Sequence, residues 1–424
     1  MTIETNIPAV APVRTGWKFR DSIWTLGVYG ATVGAGTLFL PVEIGTRGPM
    51  VFFMLLLLGF PLSVVPHILI CRVFMRDHQT ADKSLPLFGT FFGEKGKQAI
   101  KVFFCVAHFP VTLVYGVSLV NALSNYLTAH LHLAAIPRAP LSFAVVACLF
   151  LVLSKGRDKV VSTMSALALP FALAILFIAA MQIPSWQLSN FTDALSATND
   201  APAGETIKNL WLTLPLITFA FCSAPLISPL ASYYREKGNG GESKSVLVIR
   251  LAYGLIFFSI IFFVLSCVLS NPHETFVAAK EQNLNVLSVM EGGGGSGLIF
   301  IIAPFIAIIG MTKSFLGICL PVAEMFTTLT AETLRVKDQA GQKKAKAIAF
   351  MMLFAVSFAV VYANPDVITL IETVCGPLIA IFLFLIPSYL IYTREALRPL
   401  RGATTIIVII GGMATVSALL YSMV

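Results

Sequence analysis

The chain has 424 residues, of which 57% are hydrophobic and only 12% charged, and its mean hydropathy is +0.85. Soluble globular domains carry roughly 25% charged residues. The composition therefore excludes a soluble globular domain and predicts a polytopic membrane protein. The net charge of +8 needs a separate explanation.

Apolar stretches of about 20 residues, the length that crosses the hydrocarbon of a bilayer, recur along the whole sequence with short connections. We predict an all-α membrane protein with a cytoplasmic tail over 1–20 and one transmembrane domain over 21–424. The connections leave no room for a separate soluble domain. The predicted spans are 22–45, 49–74, 99–128, 139–154, 159–183, 207–233, 246–270, 297–330, 345–363, 366–392 and 403–423.

Positive residues fix the predicted orientation, because cytoplasmic loops of membrane proteins are enriched in lysine and arginine. With the N-terminus inside, 24 of the 29 basic residues are cytoplasmic, and the exceptions are Arg47, Arg138, Lys208, Lys280 and Lys313. The sequence thus predicts a cytoplasmic N-terminus and an external C-terminus. The positive charge then reflects topology, and it gives no reason to expect a nucleic acid partner.

Two of the predicted spans contain residues that weaken a helix. The first reads YGATVGAGTLFLP, with glycine at 30, 34 and 36, and the sixth contains Pro225 and Pro229 after a small polar run. The spacing of Gly30 and Gly34 also suits close packing of two membrane helices, and this alternative stays open. The second interruption favours a functional interpretation, in which both helices are broken.

Spans one and six occupy corresponding positions if the first ten spans form two five-helix halves of opposite topology. Carriers built this way bind substrate where discontinuous helices meet. We therefore predict a first inverted repeat over 21–183, a second over 207–392 and an extra helix over 403–423. Freed N–H groups suit a carboxylate, and freed carbonyls suit a cation.

Five segments of the chain resemble the bacterial hydroxy and aromatic amino acid permease family, especially its serine and threonine permeases. They are GVYGATVGAGTLFLP, FxFxxxP at 219–225, CVLSNPHETFVAAKEQNLNVLS, IIAPFIAIIGMTKSFLG and ANPDVITLIETVCGPLIAIFLFLIPSYLI. The resemblance covers nearly the whole chain after residue 16. It implies eleven spans, the broken-helix fold of the bacterial leucine transporter, and proton-coupled uptake across the inner membrane.

We expect the substrate to bind between the two breaks. Its carboxylate would meet the first break, Phe219 and Phe221 would close over it, and Tyr115 would reach it from span three unless it is only a core aromatic residue. Asn121 is a weaker candidate, since it lies on a different face of that helix. The predicted substrate-binding residues are Gly34, Ala35, Gly36, Thr37, Tyr115, Asn121, Phe219, Phe221, Cys222 and Ser223.

Lys313 is the most informative intramembrane charge, because a lysine at a helix centre costs roughly 2.5 to 3.5 kcal/mol and needs a partner or a wet cavity. We predict that it takes the place of a cation beside the first break and carries the coupled proton. A fixed structural ion pair is the alternative. The predicted ion-coupling residues are Lys313, Thr312, Ser314, Ser162, Ser165 and Glu372.

Glu372 in span ten has two interpretations: it pairs with Lys313 or relays protons, or it caps backbone freed around Gly376 and Pro377. His67 and His108 lie in apolar surroundings without a second ligand at metal spacing, and we interpret them as buried structural histidines. No metal and no other cofactor is predicted, and the proton is the expected coupling ion, with sodium as the alternative.

The sixth span departs from the family, since it reads FCSAP where serine and threonine permeases carry a more polar FNHSP-like sequence. Cys222 and Ser223 are less able to bind a side-chain hydroxyl, so other neutral or aromatic amino acids stay open as substrates. Neither HExxH nor GxSxG occurs, which disfavours an intramembrane enzyme. A sensor that binds without transport is the remaining alternative, and the expected partners are the amino acid and the bilayer, with no protein partner indicated.

Overall fold

The computed structural model describes residues 16–76, 88–199, 202–238, 240–290, 297–336 and 338–421, so most of the predicted tail lies outside the described residues. Within these ranges the regular secondary structure is entirely helical. The α-helices are α1 (Phe19–Thr32), α2 (Leu40–Arg47), α3 (Pro49–Met75), α4 (Gly89–Asn125), α5 (Arg138–Ser154), α6 (Arg157–Met181), α7 (Leu188–Asn199), α8 (Ala203–Ala220), α9 (Ala224–Arg235), α10 (Gly241–Ser270), α11 (His273–Glu281), α12 (Val286–Val289), α13 (Gly297–Thr333), α14 (Gln339–Ala363), α15 (Val367–Leu370), α16 (Gly376–Ala380), α17 (Ile386–Thr393) and α18 (Ala403–Tyr421).

Among the described residues, seven helices are long and apolar enough to cross a membrane, and two bent pairs raise this number to nine. The prediction of an all-α chain with many membrane helices is confirmed. The bent pairs are α1 with α2 and α8 with α9, which contain the two predicted breaks. Two shorter apolar helices, Arg138–Ser154 and Ala403–Ala418, occupy the positions of predicted spans four and eleven.

Helix α15 continues through α16 into α17, so that Val367–Thr393 forms one apolar helix. Two wider π-helical turns, Ile371–Cys375 and Ile381–Leu385, interrupt its regular pitch. Such turns leave carbonyls without their usual partners and often lie at functional sites. The first of them carries Glu372.

The core of the bundle forms around α13 and α4. Helix α13 packs against α4, α6 and α14, while α3 packs against α9 and α10. The short 3₁₀ turn between α1 and α2, Ala35–Leu38, contacts both α8 and α13. This arrangement brings the interruption of the first span next to the helix that contains the second interruption.

Helix α6 is packed unevenly along its length. Its second half buries one face, through Phe171, Ala172, Ile175, Ile178 and Ala179, whereas residues 157–170 are mostly exposed. The first half of α6 is therefore largely exposed, although Ala168 faces Gly30 of α1 and Met164 faces Gly317 of α13.

Close packing of α2 against α11 depends on the missing side chain of Gly45. A Cβ atom at this position would fall within the ring of Phe276, whereas one at Gly254 would meet nothing within 4 Å. Gly45→Ala should lower the free energy of unfolding by about 1–3 kcal/mol, the usual cost of overpacking. Gly254→Ala makes the same change inside a helix, and it should be neutral or stabilising by up to about 1 kcal/mol.

Thermal unfolding of the detergent-solubilised protein would measure both effects. Equal shifts of the two midpoints would contradict the packing described for α2 and α11.

Candidate functional site

The first span is broken immediately after Thr32. The last bond of α1 runs from the Val33 amide to the Tyr29 carbonyl, and Gly34 then adopts an extended conformation with φ −149° and ψ −155°. The Thr37 amide bonds to the Gly34 carbonyl at 3.1 Å, as in a 3₁₀ turn. The segments 19–32 and 36–47 meet at a bend of 51°.

The break leaves backbone carbonyls without their usual helical partners, and a lysine side chain supplies donors for two of them. Lys313 Nζ, on α13, donates to the Gly30 carbonyl at 2.5 Å and to the Val33 carbonyl at 2.8 Å. The same ammonium lies 5.2 Å from the ring centre of Phe171. Lys313 is only 3% exposed. The ammonium is therefore buried against two carbonyls that the break frees from helical bonding.

The alternative of a fixed ion pair at Lys313 has no support in the described part of the chain, where no acidic side chain forms a salt bridge with it. Ser314 does lie at the break, since a Cβ atom at Gly34 would stand 2.7 Å from Ser314 Oγ and 3.5 Å from Lys313 Nζ. Thr312 is partly buried beside them.

The structure does not bring Ser162 and Ser165 to the ammonium. Both serines lie in the exposed half of α6, and the α6 residue that contacts Lys313 is Phe171. Ser165 is about 9 Å from Phe171 along the helix axis, at 1.5 Å per residue. No hydrogen bond joins Ser162 or Ser165 to Lys313 among the described residues, and their role in ion coupling stays a prediction.

The second span is broken between Ala220 and Ala224, where α8 and α9 meet at 46°. The Ser223 amide donates to His67 Nε2 at 3.1 Å, and the Tyr253 hydroxyl donates to the Phe221 carbonyl at 2.9 Å. The Tyr253 hydroxyl also lies 2.7 Å from Ser223 Oγ. Sequence reasoning missed both partners, because neither α3 nor α10 carries a motif that points to α8 and α9.

Residues from the two breaks and from α4 meet at one place. The Phe219 ring lies against the backbone of the first break, so that a Cβ atom at Gly36 would stand 3.0 Å from Phe219 Cε1. The ring centres of Tyr115 and Phe219 are 5.7 Å apart. Thr37 is fully buried, and its hydroxyl has no hydrogen-bond partner among the described residues. These four residues form the core of the candidate site, and Ala35 lies on the backbone between Gly34 and Gly36.

The candidate site is closely packed in this structure. Tyr115, Phe219, Phe221 and Ser223 are buried, while Cys222 is partly exposed. Two cavities of about 330 and 570 Å³ lie elsewhere, between α4 and α17 and at the end of α13. In this arrangement the two helix breaks are in direct contact, through Phe219 and Gly36.

Asn121 lies apart from the breaks. Its amide group donates to the Asn283 carbonyl at 2.9 Å and to Asn364 Oδ1 at 3.1 Å, and its oxygen accepts from Arg138 at 2.8 Å. These bonds connect α4 to α5 and to the turn between α14 and α15. Since its donors and its acceptor are engaged there, Asn121 has a structural role in this arrangement.

Glu372 belongs to a group of charges at the end of α2, here called the α2 ion-pair cluster: Glu43, Arg47, Lys280 and Glu372. Arg47 pairs with Glu43 and, at 2.9 Å, with Glu372, and Lys280 lies 3.2 Å from Glu43. The interpretation in which Glu372 pairs with Lys313 is wrong, because its carboxylate pairs with Arg47. Proton relay by Glu372 and capping of backbone around Gly376 and Pro377 stay predictions. In the described ranges, no group of three potential metal ligands is present.

Removing one partner of a buried ion pair leaves an uncompensated charge, at a cost of about 3–5 kcal/mol. We expect Arg47→Met to lower the free energy of unfolding by this amount, because the Glu43 side chain is 0% exposed and that of Glu372 only 9%. Arg398→Met breaks an exposed pair, in which the two side chains are 71% and 82% exposed, and should cost less than about 1 kcal/mol.

Thermal unfolding of the purified variants in detergent compares the two arginines. If Arg398→Met destabilises the protein as much as Arg47→Met, the α2 ion-pair cluster does not stabilise the fold as described.

Solved structures show how this fold compares with known ones. The chain is similar to the manganese transporter of Eremococcus coleocola, with a TM-score of 0.53 and 11% identity over 99% of this chain and 90% of that one. A mutant of the same transporter gives a TM-score of 0.57. At this identity the similarity concerns the fold alone, which this chain shares with a membrane transporter.

No protein-family model matches the chain. It is 31% identical to the serine transporter SdaC of Escherichia coli K12, over 100% of this chain and 99% of that protein. It is 32% identical to the inner membrane transport protein YqeG of the same organism, over 96% and 99%, and 27% identical to the threonine/serine transporter TdcC of Edwardsiella piscicida, over 96% and 97%. The chain belongs to the family of bacterial inner membrane transporters that includes SdaC and YqeG.

Proposed function

We propose that the protein imports a small neutral amino acid of the serine and threonine type together with a proton, as a hydroxy and aromatic amino acid permease. The proposal rests mainly on the hydrogen bonds from the Lys313 ammonium to the Gly30 and Val33 carbonyls, which the first break frees. The relatives named for serine and threonine transport support the substrate class. Another neutral or aromatic amino acid, or coupling to sodium, is the second candidate.

The proposal includes eleven membrane spans in two inverted halves of five and one extra helix. Support comes from the nine long or paired apolar helices and the two shorter ones, which together match the predicted spans in order. The broken pairs are the first and sixth members of this series. This is the pattern of carriers whose substrate binds where discontinuous helices of two repeats meet. The N-terminus is cytoplasmic and the C-terminus periplasmic in this arrangement.

The substrate carboxylate binds at the first break in this proposal. Thr37 offers a buried hydroxyl without a partner in the described residues, and a buried polar group of this kind is normally satisfied by a ligand or water. Tyr115 and Phe219 lie beside it and would cover the substrate. The amine would meet backbone carbonyls near the breaks, and Phe221, Cys222 and Ser223 would line the opposite side.

Lys313 links the proton to the shape of the break. Its charged form holds the Gly30 and Val33 carbonyls through charge-assisted bonds, which are about twice as strong as neutral ones. Loss of the proton weakens these bonds and loosens the end of α1. Binding and release of the proton are therefore coupled to the conformation of the segment that contacts the substrate.

Alternating access is supported by the contrast between the two ends of the bundle. On the proposed outer side, the α2 ion-pair cluster joins α2 to α11 and to the π-helical turn that carries Glu372. On the proposed inner side, residues 157–170 of α6 are mostly exposed. This contrast supports an arrangement closed to the outside.

Uptake of labelled L-serine into vesicles that contain the purified protein tests the proposal. A pH gradient, inside alkaline, should drive saturable accumulation, and Lys313→Ala should reduce this accumulation about tenfold or more while exchange of internal for external serine continues. Lys346→Ala is the control, because Lys346 also lies over a phenylalanine ring but is exposed. It should behave as the unaltered protein does.

Binding of serine without accumulation would favour a sensor and contradict transport. Accumulation driven by a sodium gradient alone would show that sodium, rather than the proton, is the coupling ion. An undiminished response of Lys313→Ala to the pH gradient would contradict the role of Lys313.

The role of Thr37 has its own test. Thr37→Val removes the hydroxyl at nearly constant volume, and KM for serine should rise about tenfold, the effect of losing one hydrogen bond to a charged group. Ser142→Ala removes another fully buried hydroxyl without a partner in the described chain, but on α5, and KM should change less than about twofold. Equal KM values for Thr37→Val and the unaltered protein would exclude the hydroxyl as a ligand.

A further inference from the structure

Two buried side chains replace the backbone partners that the second break lacks. His67, on α3, is 1% exposed, and Tyr253, on α10, is 0% exposed. They bind the Ser223 amide and the Phe221 carbonyl, on either side of Cys222. We propose that His67 and Tyr253 are positioning residues that hold the second break in the shape required for substrate binding. The inference deepens the proposed function and rests on it.

The hydrogen bonds determine the form of the imidazole. The Ser223 amide has only a proton to offer, so His67 Nε2 must accept. The second ring nitrogen, Nδ1, lies 2.6 Å from the Ser63 carbonyl, which can only accept, so Nδ1 carries the proton. His67 is therefore a neutral imidazole with a fixed orientation. Its ring also lies against that of Tyr253, with centres 4.7 Å apart.

Groups within the protein accept hydrogen bonds from the backbone amides at the start of α9. His67 accepts from the Ser223 amide, the Leu226 amide donates to the Ser223 carbonyl at 2.9 Å, and Pro225 has no N–H. A helix N-terminus binds an anion through free N–H groups, and here the first of them are taken. The second break therefore has a fixed shape and offers few free N–H groups to the substrate carboxylate. We expect the carboxylate to bind at the first break, where the Thr37 hydroxyl is unpartnered within the described residues.

His108 provides a matched comparison. It is also a histidine 1% exposed inside a membrane helix, with Nδ1 2.9 Å from the carbonyl four residues earlier. Its Nε2, however, has no partner among the described residues. A substitution at His108 therefore removes a similar buried ring without removing a bond to either break.

Cys222 reports on the second break without any transport measurement. It is partly exposed and lies between the two bonded positions. We would measure the rate at which N-ethylmaleimide modifies Cys222 in the purified full-length protein, by mass spectrometry of the cysteine-containing peptide. Loosening of residues 221–223 should expose the thiol and increase this rate.

Substitution of His67 by glutamine or by asparagine tests whether the position of the hydrogen-bond acceptor matters, because the two side chains differ in length. The glutamine oxygen lies as many bonds from Cα as Nε2, whereas the asparagine oxygen is one bond shorter. His67→Gln should keep the Cys222 rate within about twofold, and His67→Asn and Tyr253→Phe should increase it about tenfold. His108→Asn should leave it unchanged.

Transport of labelled L-serine gives the second measurement. His67→Asn should raise KM about tenfold with a maximal rate within about twofold, and His67→Gln should restore KM. Unchanged Cys222 modification in both His67→Asn and Tyr253→Phe would overturn the inference, even if the unaltered protein transports serine. If the unaltered protein transports nothing, the proposed function fails, while the Cys222 rates still decide whether these residues hold the break.

Discussion

The structure depends on one constraint: inside a bilayer, every backbone N–H and carbonyl needs a partner within the protein. Two helices of this chain are broken near each other, and each break leaves several such groups without helical bonds. Side chains from other helices supply the missing partners. Lys313 bonds the carbonyls at the first break, and His67 and Tyr253 bond the backbone of the second.

The two breaks are satisfied by different chemistry. The first is held by the Lys313 ammonium, and it retains an unpartnered buried hydroxyl at Thr37 within the described chain. The second is held by neutral side chains with fixed orientations. In our proposal, the first break changes shape during transport and binds the carboxylate, while the second forms a stable wall. The Phe219 ring lies directly against the backbone of Gly36, so the two breaks are in contact.

Charged residues at the end of α2 complete this picture. Arg47 and Lys280 balance the two buried carboxylates of the α2 ion-pair cluster, so that the cluster has no net excess of charge. Because a buried charge is costly when its partner leaves, such a cluster favours one closed arrangement over partly separated ones. It therefore suits the proposed closure of the outer side, where α2 must either contact α11 and Glu372 or separate from both.

Sequence alone determined the all-α membrane class, the positions of the apolar helices and the locations of both breaks, because hydrophobic length and the clusters of glycine and proline are local properties of the chain. It also selected Lys313, since an isolated charge in an apolar helix requires a partner. Only the tertiary structure decided what those partners are: Gly30 and Val33 for Lys313, Arg47 for Glu372, a structural network for Asn121, and the second break for His67. Most of these partners are between 156 and 325 positions away in the sequence; the exception is Arg138, which is 17 positions from Asn121. The geometry of each pair depends on how the helices pack and on how each helix is rotated about its axis. No local pattern in the chain encodes that rotation.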